Sequence, residues 1–140
     1  MNVNRTMDTL KCFTIHIKPV AAARPRVSKY AVYYPKTYTK YKNNLKSLLK
    51  NEIKKPYDGF LLVDFEFYFK HPKSWTKTQK AIFENDSRTW HTKKPDIDNL
   101  SKGVMDALNN LAYKDDAQVV CLVAKKFYGL EDKIMITIKG

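Results

Sequence analysis

The sequence predicts an α+β fold in one domain over residues 1–140, a mostly antiparallel mixed sheet of about four strands with two main helices packed on it. Two kinds of periodicity predict this. Four segments are apolar with the alternation of strands, and two others repeat their apolar residues at helical spacing. The third observation is size: 140 residues, 44% of them hydrophobic, can bury one core, and no repeat or low-complexity tract divides them.

In "LKCFTIHIK", 10 to 18, Phe13, Ile15 and Ile17 alternate with Cys12, Thr14 and His16, which predicts the first strand. Residues 19 to 35 are rich in proline, basic residues and tyrosine and read as a long, partly extended loop of the functional kind. From Thr37 to Ile53, Tyr38, Tyr41, Leu45, Leu48, Leu49 and Ile53 form one stripe. Lys40, Lys46, Lys50 and Lys54 fall outside it, so an amphipathic helix with a basic outer surface is expected, ended by Pro56 and Gly59. "FLLVDFEFYF", 60 to 69, is the strongest strand, with Asp64 and Glu66 on the face opposite the phenylalanines and read as a solvated sheet face. Residues 71 to 95 form a polar insert with one short helix near "TKTQKAIFEN". A second main helix follows from Ile97 to Leu111. Two final strands, "AQVVCLVAKKFY" and "KIMITIK", are joined through "GLED", which reads as a hairpin turn.

Lys and Arg number 26 against 14 Asp and Glu, a net charge of +12. Such an excess favours a polyanionic partner, because basic side chains that neutralise phosphates release condensed counterions. A membrane partner is not expected. No apolar run approaches the roughly 20 residues of a span, no helix pairs its basic residues with exposed Trp or Phe, and the N-terminal stretch lacks a signal-peptide pattern. The two cysteines, Cys12 and Cys121, lie in strand-like runs without C-x-x-C spacing, so neither a disulfide framework nor a thiolate metal site is expected. The default setting is reducing and cytoplasmic. His16, His71 and His91 show no ligand spacing.

The stretch "KPDIDNL" is the chemical focus. Pro95 suits the approach to a helix, and Asp96 suits its N-cap, its carboxylate accepting a first-turn N–H. At 100° per residue Ile97, Leu100, Val104, Ala107, Leu108 and Leu111 share the core face. Asp98, Asn99, Lys102 and Asp106 share another. Carboxylates as close as Asp96 and Asp98 repel unless a cation lies between them. Magnesium is the fitting cation, because it takes oxygen ligands and keeps several waters. Asp116, eighteen positions after Asp98 in "KDDAQVV", is the third candidate ligand. Each residue also has an ordinary structural reading: a cap for Asp96, an i, i+4 pair for Asp98 and Lys102, a salt bridge between Asp106 and Lys102, and a turn for "KDD".

Over "KPDIDNLSKGVMDALNNLAYKDDAQVV", Lys94 to Val120, the sequence resembles the RusA family of Holliday junction resolvases. The pattern is D-x-D-N-L, a lysine four positions after the second aspartate, D-A-L, then D-D-A-Q-V. "AAARPR" followed by "YYPKTY" extends the likeness to Gram-positive and phage members. The insert at 71 to 95 is longer than in the shortest members.

The resemblance implies that Asp96, Asp98 and Asp116 are the essential acids and metal ligands and Lys102 the essential lysine, with Asn99 and Asp115 also in the motif. It implies a Mg²⁺-dependent endodeoxyribonuclease, with Mn²⁺ as a substitute metal and no small-molecule cofactor. The expected partner is branched DNA, resolved by a homodimer through paired symmetric nicks in recombination and repair, in a gene often carried by prophages. Arg24, Arg26, Lys29, Lys93, Lys94 and the basic helix face are the expected DNA-backbone contacts. Tyr30, Tyr33 and Tyr34 suit either stacking on opened bases or packing on the sheet. Two other readings use the same residues: a flap- or branch-selective nuclease with the same metal site, and a non-catalytic junction-binding module whose aspartates only cap and pair.

Overall fold

The computed structural model describes residues 10–85 and 88–140; the N-terminal stretch tested for a signal pattern and two positions of the insert lie outside them. The elements are β1 (Leu10–Ile15), β2 (Arg26–Val27), β3 (Val32–Tyr33), α1 (Lys36–Glu52), β4 (Leu61–Lys70), α2 (Lys77–Asn85), α3 (Ile97–Leu108), β5 (Val119–Gly129) and β6 (Lys133–Lys139). A single 3₁₀ turn, Asp116–Gln118, leads into β5.

The sheet runs β1-β6-β4-β5. β1 with β6 and β6 with β4 are antiparallel, and β4 with β5 is parallel. β4 holds the centre because its Leu61, Val63, Phe65, Phe67 and Phe69 supply an unbroken apolar face. That face and Ile134, Ile136 and Ile138 of β6 are buried together with Leu45 and Leu49 of α1 and Leu100, Val104 and Leu108 of α3. Each fully buried aliphatic or aromatic side chain contributes about 1.5–3 kcal/mol of apolar transfer, so this layer is the main stabilising feature. The predicted α+β class, four-stranded mixed sheet and two principal helices are the ones observed.

Several local expectations differ. "GLED" does not close a hairpin, since β4 lies between β5 and β6. The connection passes over the end of β4: Asp132 Oδ1 accepts from Lys70 N–H at 2.9 Å, and the Gly129 carbonyl accepts from His71 N–H at 3.0 Å. The bulkiest apolar strand takes the centre, and the two strands that follow it flank it. The 19 to 35 segment is not structureless, because β2 and β3 pair as a small hairpin. Ser28 closes its turn, donating its N–H to the Ala31 carbonyl at 2.8 Å and accepting the Ala31 N–H on Oγ at 3.1 Å. Helix α3 stops at Leu108 rather than Leu111, where Asn110 takes a positive φ of 67°. Ile97 and Leu48 of the predicted core stripes are exposed at 37% and 36%. The short helix expected in the insert is α2, whose Phe83 packs with Trp75 and His71.

Candidate functional site

Asp98 sits in the first turn of α3 and its Oδ1 accepts the Asn99 N–H at 2.9 Å. Helical spacing sets Lys102 one turn on and Asp106 a second turn on, along the same flank. These three side chains line one surface cavity with Asp116, together with Ile97, Ser101, Met105, Leu122 and Ala124. The parallel pairing of β5 with β4 brings the start of β5, and Asp116 just before it, alongside α3. Asp116 therefore lines the same cavity as Asp98 and Lys102, but Asp96, the third acid of the expected convergence, does not line it. Asp96 lines a neighbouring cavity with Asp98, Lys125, Lys126 and His91, so Asp98 belongs to both.

The surroundings of Asp116 show what each motif residue does. Asp115 is the N-cap of the 3₁₀ turn, its Oδ1 accepting the Ala117 N–H at 2.8 Å. Gln118 completes a capping box and donates its Nε2 to the carbonyls of Tyr57 and Gly59 at 3.0 and 2.9 Å. It thereby fastens the turn to the loop between α1 and β4. Asp115 and Gln118 are engaged in holding the backbone, and the Asp116 carboxylate is left facing the cavity.

Two structural readings of the acids are not realised. Asp96 occupies the N-cap position of α3 with extended backbone, yet its side chain makes no capping hydrogen bond. Among the described residues Lys102 forms no ion pair with Asp98 or Asp106. Asp106 lies instead near two tyrosine hydroxyls. Burial, then the Asp106 carboxylate, pushes Tyr38 up to about 12. Tyr113 is also raised, first by burial, then by Asp116 and Asp106. The Tyr113 hydroxyl donates to the Met105 carbonyl at 2.5 Å, which fixes it beneath the acidic cavity.

Carboxylate oxygens are the donors a hard cation takes, and Asp98, Asp106 and Asp116 line one cavity, none of them ion-paired among the described residues. Among the described residues, however, no group of three or more His, Cys, Asp or Glu side chains is drawn together closely enough to hold a metal ion.

The expected DNA contacts divide into two groups. Arg24, Arg26 and Lys29 are exposed on the β2–β3 hairpin and its approach. The Ala22 N–H, just before them, donates to the Asn99 carbonyl at 2.9 Å, so the arm is tethered beside Asp98. Tyr30 is 88% exposed near the hairpin tip, and Tyr33 and Tyr34 are each 50% exposed, so packing on the sheet does not account for them. Lys93 and Lys94 line a second basic hollow with Lys18 and Lys70, beside the 93–96 segment. Asp64 and Glu66 stand apart from the acidic cavity and pair across the outer sheet face with Lys125, at 3.4 and 3.7 Å. Arg88 adds a 3.1 Å contact to Glu66.

Sequence reasoning missed Lys126 as part of this region, and allowed His91 only a hydrogen bond to phosphate. Lys126 reaches the Lys93 and Pro95 carbonyls at 2.7 Å each. Its sequence signal was a lysine at an alternating position on the apolar side of β5, in register with buried Phe67. His91 is buried, stacks on Phe69 at 4.4 Å, and is held below its ordinary pKa by burial and then by Lys126. No local pattern in the sequence marked it.

Residues 16–139 match the family model described as Endodeoxyribonuclease RusA. The chain is 36% identical over 140 residues to the uncharacterized protein YqaN of Bacillus subtilis (strain 168), covering 95% of this chain and 97% of that one. It is 33% identical over 96 residues to the crossover junction endodeoxyribonuclease rusA of Lactococcus phage r1t, covering 65% of this chain and 64% of the relative.

Proposed function

Since the chain belongs to the RusA endodeoxyribonuclease family and is a hydrolytic nuclease, we propose that it resolves four-way DNA junctions by paired symmetric nicks in recombination and repair. The proposal includes a homodimer working in the cytoplasm, with Mg²⁺ as the metal and a gene of prophage type. The single observation that carries the site assignment is the cavity shared by Asp98, Lys102 and Asp116.

Asp98 and Asp116, with Asp96 from the adjoining hollow, would hold the divalent ion. A bound ion of this kind lowers the pKa of its water and neutralises charge on the phosphate. The protein's own groups then have separate tasks. Lys102 is exposed, carries no ion pair among the described residues, and reaches the same cavity, so its ammonium stabilises negative charge developing on the phosphate oxygens. Arg24, Arg26 and Lys29, on the arm tethered beside Asp98, and Lys93 and Lys94, just before Asp96, hold the backbone on either side. Tyr30 is free to stack on a base exposed at the branch point.

The test is a cleavage panel of a mobile four-way junction and a 5′ flap, each with and without Mg²⁺, for wild type and Asp98→Asn. Wild type should cut the junction symmetrically only with the metal, and prefer it to the flap. Asp98→Asn should lose cleavage by about 10²-fold or more while binding the junction as tightly or more tightly, because it removes a negative charge facing phosphate. A preference for the flap would reassign the substrate, and junctions left uncut by wild type with Mg²⁺ would remove the resolvase reading.

A further inference from the structure

β5 lies at one edge of the sheet, with β4 as its strand neighbour. From Val119 to Lys125 no described residue pairs with its outer side. Beyond that point the end of the 71–95 insert lies along it. The Tyr128 N–H donates to the Thr89 carbonyl at 2.9 Å, and the His91 N–H donates to the Lys126 carbonyl at 3.1 Å. Trp90, between them, forms an antiparallel bridge with Phe127. Strand-type hydrogen bonds on both sides thus hold the Trp90 backbone in place.

Its side chain is held as well, yet open to solvent. The Trp90 ring stacks on Phe127, with centroids 4.8 Å apart and planes 24° from parallel. Phe127 is 1% exposed and packs on Tyr68 at 5.4 Å, so the indole rests on a fixed base. Trp90 nevertheless remains 61% exposed. A single exposed aromatic is ordinary on a protein surface. This one differs in being preorganised by its stack and in lining the cavity of Asp96, Asp98, Lys125 and Lys126. That cavity shares Ile97, Asp98 and Ala124 with the one holding Lys102 and Asp116, so the two adjoin as parts of one surface groove.

We propose that Trp90 is a stacking platform for an unpaired nucleobase, the one next to the phosphate at Asp98 and Asp116, and that this contact favours branched DNA over continuous duplex. The proposal rests on the nuclease reading above for the phosphate and adds the base. A nucleotide offers the two features the groove accommodates, an anion and a flat π face beside it. A phosphate at Asp98 carries its neighbouring base along the groove toward Trp90, between the flanking lysines. Every base has a π face, so the contact reads strandedness and not sequence. Inside a duplex both faces of a base are covered by its neighbours, and uncovering one costs free energy. At a branch point the stack is already interrupted. An apolar side chain of a protein partner fits less well, because it would bury Asp96 and Asp98 without bringing them a cation.

The chain holds two tryptophans, Trp75 and Trp90, so indole fluorescence can be assigned to each. Titrating the full chain with short oligothymidylate in EDTA should quench the fluorescence. The quench should persist in Trp75→Phe, which keeps an aromatic ring against Phe83 and Tyr128, and vanish in Trp90→Phe. A four-way junction should quench Trp90 likewise, and a linear duplex should not. Trp90→Ala should weaken oligothymidylate and junction binding by about tenfold or more, with duplex binding and the circular dichroism spectrum unchanged. Trp90→Phe should recover most of that loss. A Trp90 unquenched by bound junction, or Trp90→Ala binding junction and duplex in the wild-type ratio, would overturn the proposal. Junctions cut with Trp90 unquenched would remove the stacking site alone. A quenched Trp90 in a protein that cuts no DNA with Mg²⁺ would remove the nuclease reading and leave the stacking site standing.

Discussion

The Lys126 ammonium donates a 2.7 Å hydrogen bond to the Pro95 carbonyl, one residue before Asp96, and another of 2.7 Å to the Lys93 carbonyl. A side chain from β5 thus fixes the segment that delivers Asp96 to the head of α3. Charge-assisted hydrogen bonds of this kind contribute about 1.5–3 kcal/mol each when shielded, and less here because Lys126 is half-exposed. Lys126→Met should lower the melting temperature slightly and reduce cleavage at saturating DNA by about tenfold, with Lys126→Arg recovering part of the loss. Cleavage unchanged in Lys126→Met would show that the 93–96 segment holds its place without this anchor.

Neighbouring Asp115 and Asp116 should respond in opposite ways. Asp115 caps the 3₁₀ turn, so Asp115→Ala should cost about 1 kcal/mol in denaturant unfolding and lower cleavage only as far as the turn shifts. Asp116 faces the cavity without a capping role, so Asp116→Asn should leave stability near wild type and reduce cleavage by about 10²-fold or more. The reverse pattern would place the functional acid at 115.

The arm at Arg24, Arg26 and Lys29 should act through phosphate neutralisation. Substituting all three by serine should weaken junction binding and flatten its dependence on salt, the log–log slope falling by about 0.9 for each phosphate contact removed. Binding titrations over a range of NaCl concentrations measure this. An unchanged slope would mean that the arm does not touch the backbone.

Alkaline stability should follow the buried phenols. Tyr38, Tyr41 and Tyr68 are each raised to about 12, with burial the largest cause. Their folded pKa lies above the ordinary value of 10.0, so the unfolded chain releases these protons first as pH rises. The stabilisation they confer is fully present below about pH 10 and is lost as pH climbs toward about 12. Tyrosinate absorbance and circular dichroism followed together should show the phenols of Tyr38, Tyr41 and Tyr68 ionising as the fold is lost. Free ionisation of all the tyrosines near pH 10 in a folded chain would contradict this.

Much of the fold was legible because its signals are local. The alternation in 60 to 69 and the stripes of Tyr41, Leu45 and Leu49 and of Leu100, Val104 and Leu108 report one-dimensional periodicity, and each became a buried face. Strand order was not legible. Whether "GLED" closes a hairpin or crosses β4 depends on which strand buries most when placed centrally, and no window of residues contains that comparison. The site was legible in part. The spacing of Asp98 and Lys102 follows from helical geometry, but the capping roles of Asp115 and Gln118, which leave Asp116 to the cavity, depend on carbonyls of Tyr57 and Gly59 far back in the chain.

By itself the sequence determined an α+β class, a basic surface, and a helix with its carboxylates and lysine along one flank, because charge and periodicity are properties of the chain before it folds. Tertiary structure alone decided that Asp116 shares a cavity with Asp98, that Lys126 anchors the approach to Asp96, and that β5 lies at an open edge. Each of these depends on the parallel pairing of β5 with β4, and that pairing joins residues more than fifty positions apart through backbone groups that every sequence possesses alike.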